Sequence, residues 1–437
     1  MDTSSRKKLL YAVACLDIFA GSLIVPVLPP YLRSIGVSHF IIGVLTSLYF
    51  GLQLISIPVA RSCFVENRRY ALQITLLVCA LTYVMLGSAN IISYVFLYRV
   101  ILGIFSQTQA LCGPMLVETL LPQEKAEMQK FMTTVGTTSL IAAASVAGHI
   151  LEMRNGFRYV CSFISIIYLL NYGIVYFFLQ NTPHVPKKEK NDTATEEQLS
   201  NSKGKNQKGK EKDEKQLKEI NTKASVKSVL LKYVQSVTEL RDVNWELYWD
   251  VYALQFLFDF ALTVHLQNFP PVLRDVYNTA PRWIGYTAAM QGAAIVMFGF
   301  LSGWINSFYK YDTNHIQKTY HGFGMYVLSF LCLSFAPNWN YIFVCLLPLS
   351  ASISVLRSTI LELIKQRSLH DKKKQVVDAE KSVSSAARLC APLVLGLVYD
   401  NYGFPGTSIL KIITAGTATV ITAKLFNSQG KDEKKTD

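Results

Sequence analysis

Apolar residues in this chain come in long unbroken runs, not in the alternation of a half-buried strand or the narrow stripe of a soluble amphipathic helix. Asp17 is the one charged residue between Leu9 and Tyr31, and the stretch from Ala71 to Tyr98 has none. A helix crossing about 30 Å of hydrocarbon needs roughly 20 predominantly apolar residues, a run that soluble cores seldom contain. Dividing the chain at its polar breaks predicts membrane helices over 9–32, 39–60, 71–89, 91–115, 131–151 and 159–180. After a gap, six more follow over 247–269, 284–306, 321–337, 340–362, 379–399 and 406–426. Only Pro337, Asn338, Trp339 and Asn340 separate the ninth from the tenth. The expected fold class is an all-α membrane protein of about 12 transmembrane helices, arranged as two six-helix halves.

The pattern also sets the domain limits. Residues 1–181 form the first half, 241–427 the second and 428–437 a tail. The gap, 182–240, opens on Pro183 and Pro186 and runs through Lys, Glu, Gln, Asn and Ser, with too little apolar surface to offset chain entropy. It reads as a charged, partly disordered linker. Over 225–241, Val226, Val229, Leu230, Tyr233, Val237 and Leu240 recur at helical spacing with Lys227 and Lys232 between them. That suits an amphipathic helix, lying on the inner leaflet or packed against the bundle.

The two halves echo one another. Pro29-Pro30-Tyr31-Leu32-Arg33 after helix 1 returns as Pro270-Pro271-Val272-Leu273-Arg274 after helix 7. At nearly the same spacing Asp17 is matched by Asp259, Gly43 by Gly285 and Glu118 by Glu362. Gly148 with Gly156-Phe157 is likewise followed by Gly396 with Gly403-Phe404. A parallel repeat of a six-helix unit encloses a site at the midplane between halves that rock about it.

Charge refines the reading. The 437 residues are 51% hydrophobic with a formal net charge of +13. A soluble protein so basic would suggest nucleic acid, but here the lysines gather in the linker and on alternate loops. Arg6, Lys7, Lys8, Arg61, Arg68, Arg69, Lys125, Lys130, Lys310, Lys318 and the 365–374 cluster fall on one side, against Arg33, Arg154, Arg158, Arg274 and Arg282 on the other. Positive loops stay inside, so both termini and the linker are expected in the cytoplasm of a multi-pass protein whose membrane the sequence does not name. The sequon Asn191-Asp192-Thr193 then stays unglycosylated. The eight cysteines lie scattered in apolar stretches without metal-ligand spacing and read as packing residues. The first apolar run is too long for a signal peptide.

Several segments resemble a known family. Leu16-Asp17-Ile18-Phe19-Ala20-Gly21 through Val25-Pro26-Val27-Leu28-Pro29 is similar to the first helix of major facilitator superfamily proteins of the drug:proton antiporter and tetracycline-efflux type. Arg99-Val100-Ile101-Leu102-Gly103 resembles that group's R-x-x-x-G signature, and Val117-Glu118 to Glu124-Lys125 its following acidic segment. Within the superfamily the resemblance is closest to the domain-containing protein 9 group. It implies a twelve-helix transporter fold. The chain departs from the pattern in the loop Arg61-Ser62-Cys63-Phe64-Val65-Glu66-Asn67-Arg68-Arg69, which keeps the arginine pair and loses the aspartate and both glycines. The helix 5 antiporter signature is reduced to Ala142-Ala143-Ala144-Ser145-Val146-Ala147-Gly148-His149.

A carboxylate in hydrocarbon is costly unless paired, protonated or wet, which makes Asp17 and Asp259 proton-coupling candidates. Arg99 is within reach of Asp17 by depth and is the expected partner in a pair whose making and breaking links protonation to rocking; a static packing pair is the alternative. Arg357 and Arg388 are candidate partners of Asp259 and candidate substrate ligands favouring an anionic cargo, although Arg357 at the inner end also suits snorkelling. His149 and His265 are candidate proton relays or substrate contacts, or else hydrogen-bonded packing residues. Glu118, Glu362, Arg61, Arg68 and Arg69 lie at helix ends where ion pairs between the halves would gate access, or where charges are simply solvated.

The chain lacks an H-x-x-x-H cluster, a G-x-S-x-G elbow and a Walker loop, so the sequence predicts neither an enzyme nor an ATP-driven pump. It predicts a secondary active transporter of a small organic solute, anionic or amphipathic, coupled to protons, without a cofactor or metal, contacting membrane lipid and not nucleic acid, and acting as a monomer. The alternatives are an uncoupled facilitator and a non-transporting receptor or scaffold on a transporter fold.

Overall fold

The computed structural model describes residues 3–63, 67–120, 124–179, 245–312, 314–367 and 373–436. The linker, the 225–241 helix and the sequon therefore lie outside the described residues, as do the side chains of the 428–437 tail. Every described element is helical. The first half comprises α1 (Thr3–Ile24), α2 (Leu28–Ser34), α3 (His39–Cys63), α4 (Arg68–Gly87), α5 (Ile92–Phe105), α6 (Thr108–Thr119), α7 (Glu124–Leu151) and α8 (Gly156–Phe178). The second comprises α9 (Trp245–Asp275), α10 (Pro281–Phe300), α11 (Ser302–Ser307), α12 (Ile316–Ser334), α13 (Trp339–Arg367) and α14 (Lys373–Thr436).

Among the described residues nine helical stretches are long and apolar enough to cross a membrane. One of them, Ala379–Asn427 in α14, is 49 residues long and crosses twice, folding back where Gly403 adopts φ 63° and ψ −155°, a conformation that glycine takes without strain. Two crossings, α9 and α12, fall outside the nine because α9 carries Asp250, Asp259 and His265, and α12 carries Lys318 and His321. With these, the twelve expected crossings are present. Two are broken. Pro26 and the Pro29-Pro30 pair part α1 from α2, while the fourth crossing breaks between α5 and α6.

Each half has its own core. Leu23, Leu72, Leu76, Leu86, Val160 and Ile164 centre the first; Phe258, Phe323, Tyr326, Phe330, Leu346 and Leu349 centre the second. The outer surface is apolar too, with Leu81, Leu170, Phe177, Phe300 and Val344 exposed, as hydrocarbon around the bundle requires.

The halves meet where α3 crosses α14 and where α7 crosses α10. Both crossings close on glycines. A Cβ at Gly43 would collide with the Pro392 carbonyl, and one at Gly396 would come within 2.6 Å of the His39 carbonyl oxygen. In the other crossing a Cβ at Gly285 would collide with the Ala144 carbonyl, and one at Gly148 would lie 2.8 Å from the Pro281 carbonyl oxygen. The repeat partners Gly43 and Gly285, and Gly148 and Gly396, thus occupy equivalent places in two equivalent crossings.

All four lie toward the end of the bundle opposite the chain termini, here called the far end. Polar contacts reinforce it. The Asp400 carboxylate accepts from the backbone N–H groups of His39 and Phe40 at 3.0 and 2.8 Å, capping α3 from the other half. Arg274 donates to the Pro30 carbonyl at 2.9 Å, and Arg282 pairs with Glu152 at 3.4 Å. At the terminal end the described ion pairs stay inside their halves: Lys7–Glu124, Arg68–Glu118, Lys318–Glu362 and Arg367–Asp250. The conformer is closed at the far end.

Two consequences are testable. Gly285→Leu and Gly43→Leu should part the far end, so that a cysteine placed at Gln267 in a cysteine-free background reacts faster with impermeant maleimide added on that side. Gly136→Leu, whose side chain meets open space, should leave the rate unchanged; equal rates in all three variants would refute the seal. Removing the cap with Asp400→Ala should cost the closed conformer about 1 kcal/mol, roughly a fivefold shift toward opening. Distance distributions between spin labels at Ser34 and Tyr402 would register it as a broadened, longer population.

Candidate functional site

Beneath the far-end seal lies a central cavity of about 450 Å³ lined by both halves, with Asp17, Tyr49, Arg99 and Gln109 on one side and Gln267, Asn268, Pro271 and Leu395 on the other. Asp17 is 9% exposed, about two and a half turns before Pro26 at the break of the first crossing. Its Oδ2 accepts from Gln109 Nε2 at 2.9 Å, and the same amide reaches the Ala14 carbonyl, also at 2.9 Å. Oδ1 has no hydrogen-bond partner. The hydroxyls of Thr108 and Tyr168 lie close by.

The break in the fourth crossing places Gln109. Ser106 has φ −74° and ψ 65°, and the Gln107 N–H bonds to the Phe105 carbonyl at 2.7 Å, which together make an inverse γ-turn. The Gly103 carbonyl is instead satisfied from the side, by Ser56 Oγ at 3.0 Å and Gln107 Nε2 at 3.3 Å. The turn offsets α6 from α5 and brings Gln109 onto Asp17.

Arg99, two turns before the break, remains against α3. It is 8% exposed, its guanidinium carbon is 5.1 Å from the centre of the Tyr49 ring, and its Nε has no partner. Among the described residues it has no carboxylate within ion-pair distance. Asp17 and Arg99 both line the cavity, but no ion pair joins them in this conformer: one carboxylate oxygen is met by Gln109 and the guanidinium lies against Tyr49.

Asp259 is 4% exposed and accepts from Gln255 Nε2, one turn earlier on α9, at 2.7 Å. It does not line the central cavity. Arg357 feels the charges of both Asp259 and Arg388. Both arginines are solvent-accessible, and neither forms an ion pair with Asp259 among the described residues. His149 does not line the central cavity: its Nε2 lies 2.5 Å from the Tyr286 hydroxyl in the α7–α10 crossing, toward the far end. His265 is 2% exposed, packs behind Asn268 and bonds Gln291 at 2.9 Å.

The described gating candidates lie at the terminal end and bond within their own halves. Arg68 bonds Glu118 at 2.6 Å; Glu362 is met by Lys318 at 3.7 Å and His315 at 3.9 Å. The two clusters are equivalent under the repeat, since each joins the start of the third crossing of its half to the end of the fourth. Among the described residues none of these pairs crosses from one half to the other. Arg69 bonds the Tyr176 carbonyl at 2.6 Å. Arg61 belongs to α3, and its side chain lies outside the described residues.

Sequence reasoning missed Gln109, Tyr49 and Tyr168, whose roles depend on the fourth-crossing break and on which face each helix presents inward. It also missed Lys411, which is 6% exposed. A lysine inside the last apolar run was the available signal.

The comparisons agree with this architecture. A bacterial homologue of the human lysosomal transporter Spinster, in an inward-facing and unoccupied conformation, superposes with a TM-score of 0.70 at 13% identity over 96% of each chain. The nucleoside transporter NupG gives 0.67 at 10% identity, covering 96% of this chain and 99% of its own. The human organic anion transporter MFSD10 (TETRAN) gives 0.59 at 12% identity, covering 97% and 100%. No curated protein matches the chain. The Major Facilitator Superfamily model matches residues 10–370, most of the chain, and the protein belongs to that family.

Proposed function

We propose that this solute transporter is secondary active and works by alternating access around the central cavity, with Asp17 as its proton-coupling group. The observation that carries the proposal is a buried acid with one carboxylate oxygen unpartnered, in a residue lining a cavity shared by two halves that meet in tight glycine crossings at the far end. A carboxyl group whose surroundings alternate between dry and wet binds and releases a proton as they change. With the termini in the cytoplasm, as the lysine distribution argues, the conformer is inward-facing. Opening the far end then breaks the α3–α14 and α7–α10 crossings, and closing the terminal end brings together charges now paired inside each half.

The cargo in this reading is an organic anion or amphipath. Among the described residues Arg99 has no carboxylate within ion-pair distance, Arg357 and Arg388, outside the cavity lining itself, add two more cations, and the faces of Tyr49 and Tyr83 supply apolar area. Asp259 serves as the second-half counterpart of Asp17 in coupling. We place the chain in the drug:proton antiporter branch on the Arg99–Gly103 and 117–125 segments, and expect it to act as a monomer in contact with membrane lipid.

Protein reconstituted in liposomes with an entrapped pH dye tests the reading. Addition of an organic anion should produce saturable solute uptake with proton movement, and Asp17→Asn should abolish the proton signal. Uptake without protons would make the protein a uniporter, and silence across a broad panel of solutes would favour a scaffold. Arg357→Gln or Arg388→Gln should raise KM for an anionic cargo about tenfold, the loss of a charged hydrogen bond, with a smaller change in maximal rate. Concentration series of uptake separate the two parameters.

A further inference from the structure

Carboxamides outnumber charges in the lining of the central cavity: Gln53, Gln107, Gln109, Gln267 and Asn268 stand beside Asp17 and Arg99. An amide offers donors from one side and an acceptor from the other, so what it reads on a solute depends on which side is already bonded. For Gln109 the protein settles this. Its Nε2 lies 2.9 Å from the Ala14 carbonyl oxygen and 2.9 Å from Asp17 Oδ2. A backbone carbonyl only accepts, so the atom against Ala14 is the nitrogen and not the oxygen. Both amide hydrogens are then spent, one on each partner. A proton arriving on Asp17 Oδ1, the carboxylate oxygen without a partner, leaves Oδ2 able to accept as before.

What the Gln109 amide has left is Oε1. Gln109 is exposed and lines the cavity, and among the described residues no donor bonds this oxygen. The neighbouring amides differ. Gln107 turns its nitrogen to Ser56 and to the Gly103 carbonyl, and its own Oε1 is buried. Gln53 and Gln267 are half-buried and, among the described residues, make no side-chain hydrogen bond, so each is free to turn either way. Gln109 alone combines exposure with a nitrogen held at two points. It cannot flip to offer an N–H without losing the Ala14 bond, which makes Oε1 an acceptor set in place before any solute arrives.

With the central cavity as the solute site, as in the transport reading above, we propose that Gln109 Oε1 selects the cargo by accepting from an N–H or O–H group that the solute carries beside its anionic group. An ether oxygen at that place sets lone pair against lone pair, and a hydrocarbon strips the carbonyl of water without replacing it. The substrate class is then hydroxylated or N–H-bearing organic acids, not plain alkyl or aryl acids.

Binding to the purified full-length protein in detergent, read by thermal shift, tests this without transport or protons. The probes are two matched pairs of acids, para-hydroxyphenylacetate against para-methoxyphenylacetate and mandelate against its O-methyl ether. In at least one pair the hydroxy acid should bind roughly tenfold more tightly, in the wild type and in Asp17→Asn alike. Gln109→Met should bring that pair to within about twofold by weakening the hydroxy acid alone. Equal binding within both pairs, a preference that survives Gln109→Met, or no binding by any of the four acids overturns the proposal. Proton coupling is judged separately by the liposome assay, so failure of either reading leaves the other standing. Should Gln109→Met fail to fold, the structure of the wild type with the tighter acid decides: its hydroxyl within about 3.2 Å of Gln109 Oε1 supports the assignment, and a hydroxyl placed elsewhere overturns it.

Discussion

Close backbone approach at glycine governs this structure. Two helix pairs, α3 with α14 and α7 with α10, cross where Gly43, Gly396, Gly148 and Gly285 leave no room for a side chain. Inside a bilayer helices gain little by hiding apolar side chains from a surrounding that is itself apolar, so association depends on tight packing and on polar contacts. The glycines supply the packing. The Asp400 carboxylate on the first N–H groups of α3, and Arg274 on the Pro30 carbonyl, supply the polar contacts. Because both crossings sit toward one end, they hold that end shut and leave a cavity below it.

The same economy explains the site. Polar groups buried in a membrane protein are expensive, and many in this chain are met by near neighbours: Asn268 by Thr407, Asp259 by Gln255, Ser47 by the Leu389 carbonyl. The exceptions are informative. One oxygen of Asp17 and the Nε of Arg99, in two residues that line the central cavity, have no protein partner. These are the positions where a proton or a solute has something to gain by binding.

Much of the fold was legible from the run lengths of apolar residues, because twenty such residues have few uses outside a bilayer. The internal repeat was legible too, and its glycines proved to be paired contact points. What escaped had specific causes. The break at Ser106 depends on Ser56 and Gln107 satisfying the Gly103 carbonyl from the side, which no local propensity reveals. The Asp17–Arg99 pair was argued from depth alone, and depth says nothing about the azimuth at which each side chain leaves its helix. His149 and His265 looked alike in the sequence, yet one seals an interface and the other fills a core.

The separateness of the two cores bears on how the chain is made. Leu23, Leu72 and Ile164 close one hydrophobic nucleus within the first 179 residues, while Phe258, Tyr326 and Leu346 close another that begins after residue 244. Neither waits for the other to bury its apolar interior. During synthesis the first half has all its core partners before the second emerges, and the glycine crossings join units already folded. Assembly is then a docking step rather than a folding step, so denaturation should release the halves from each other before either loses its helices, giving a transition that a single two-state curve does not describe.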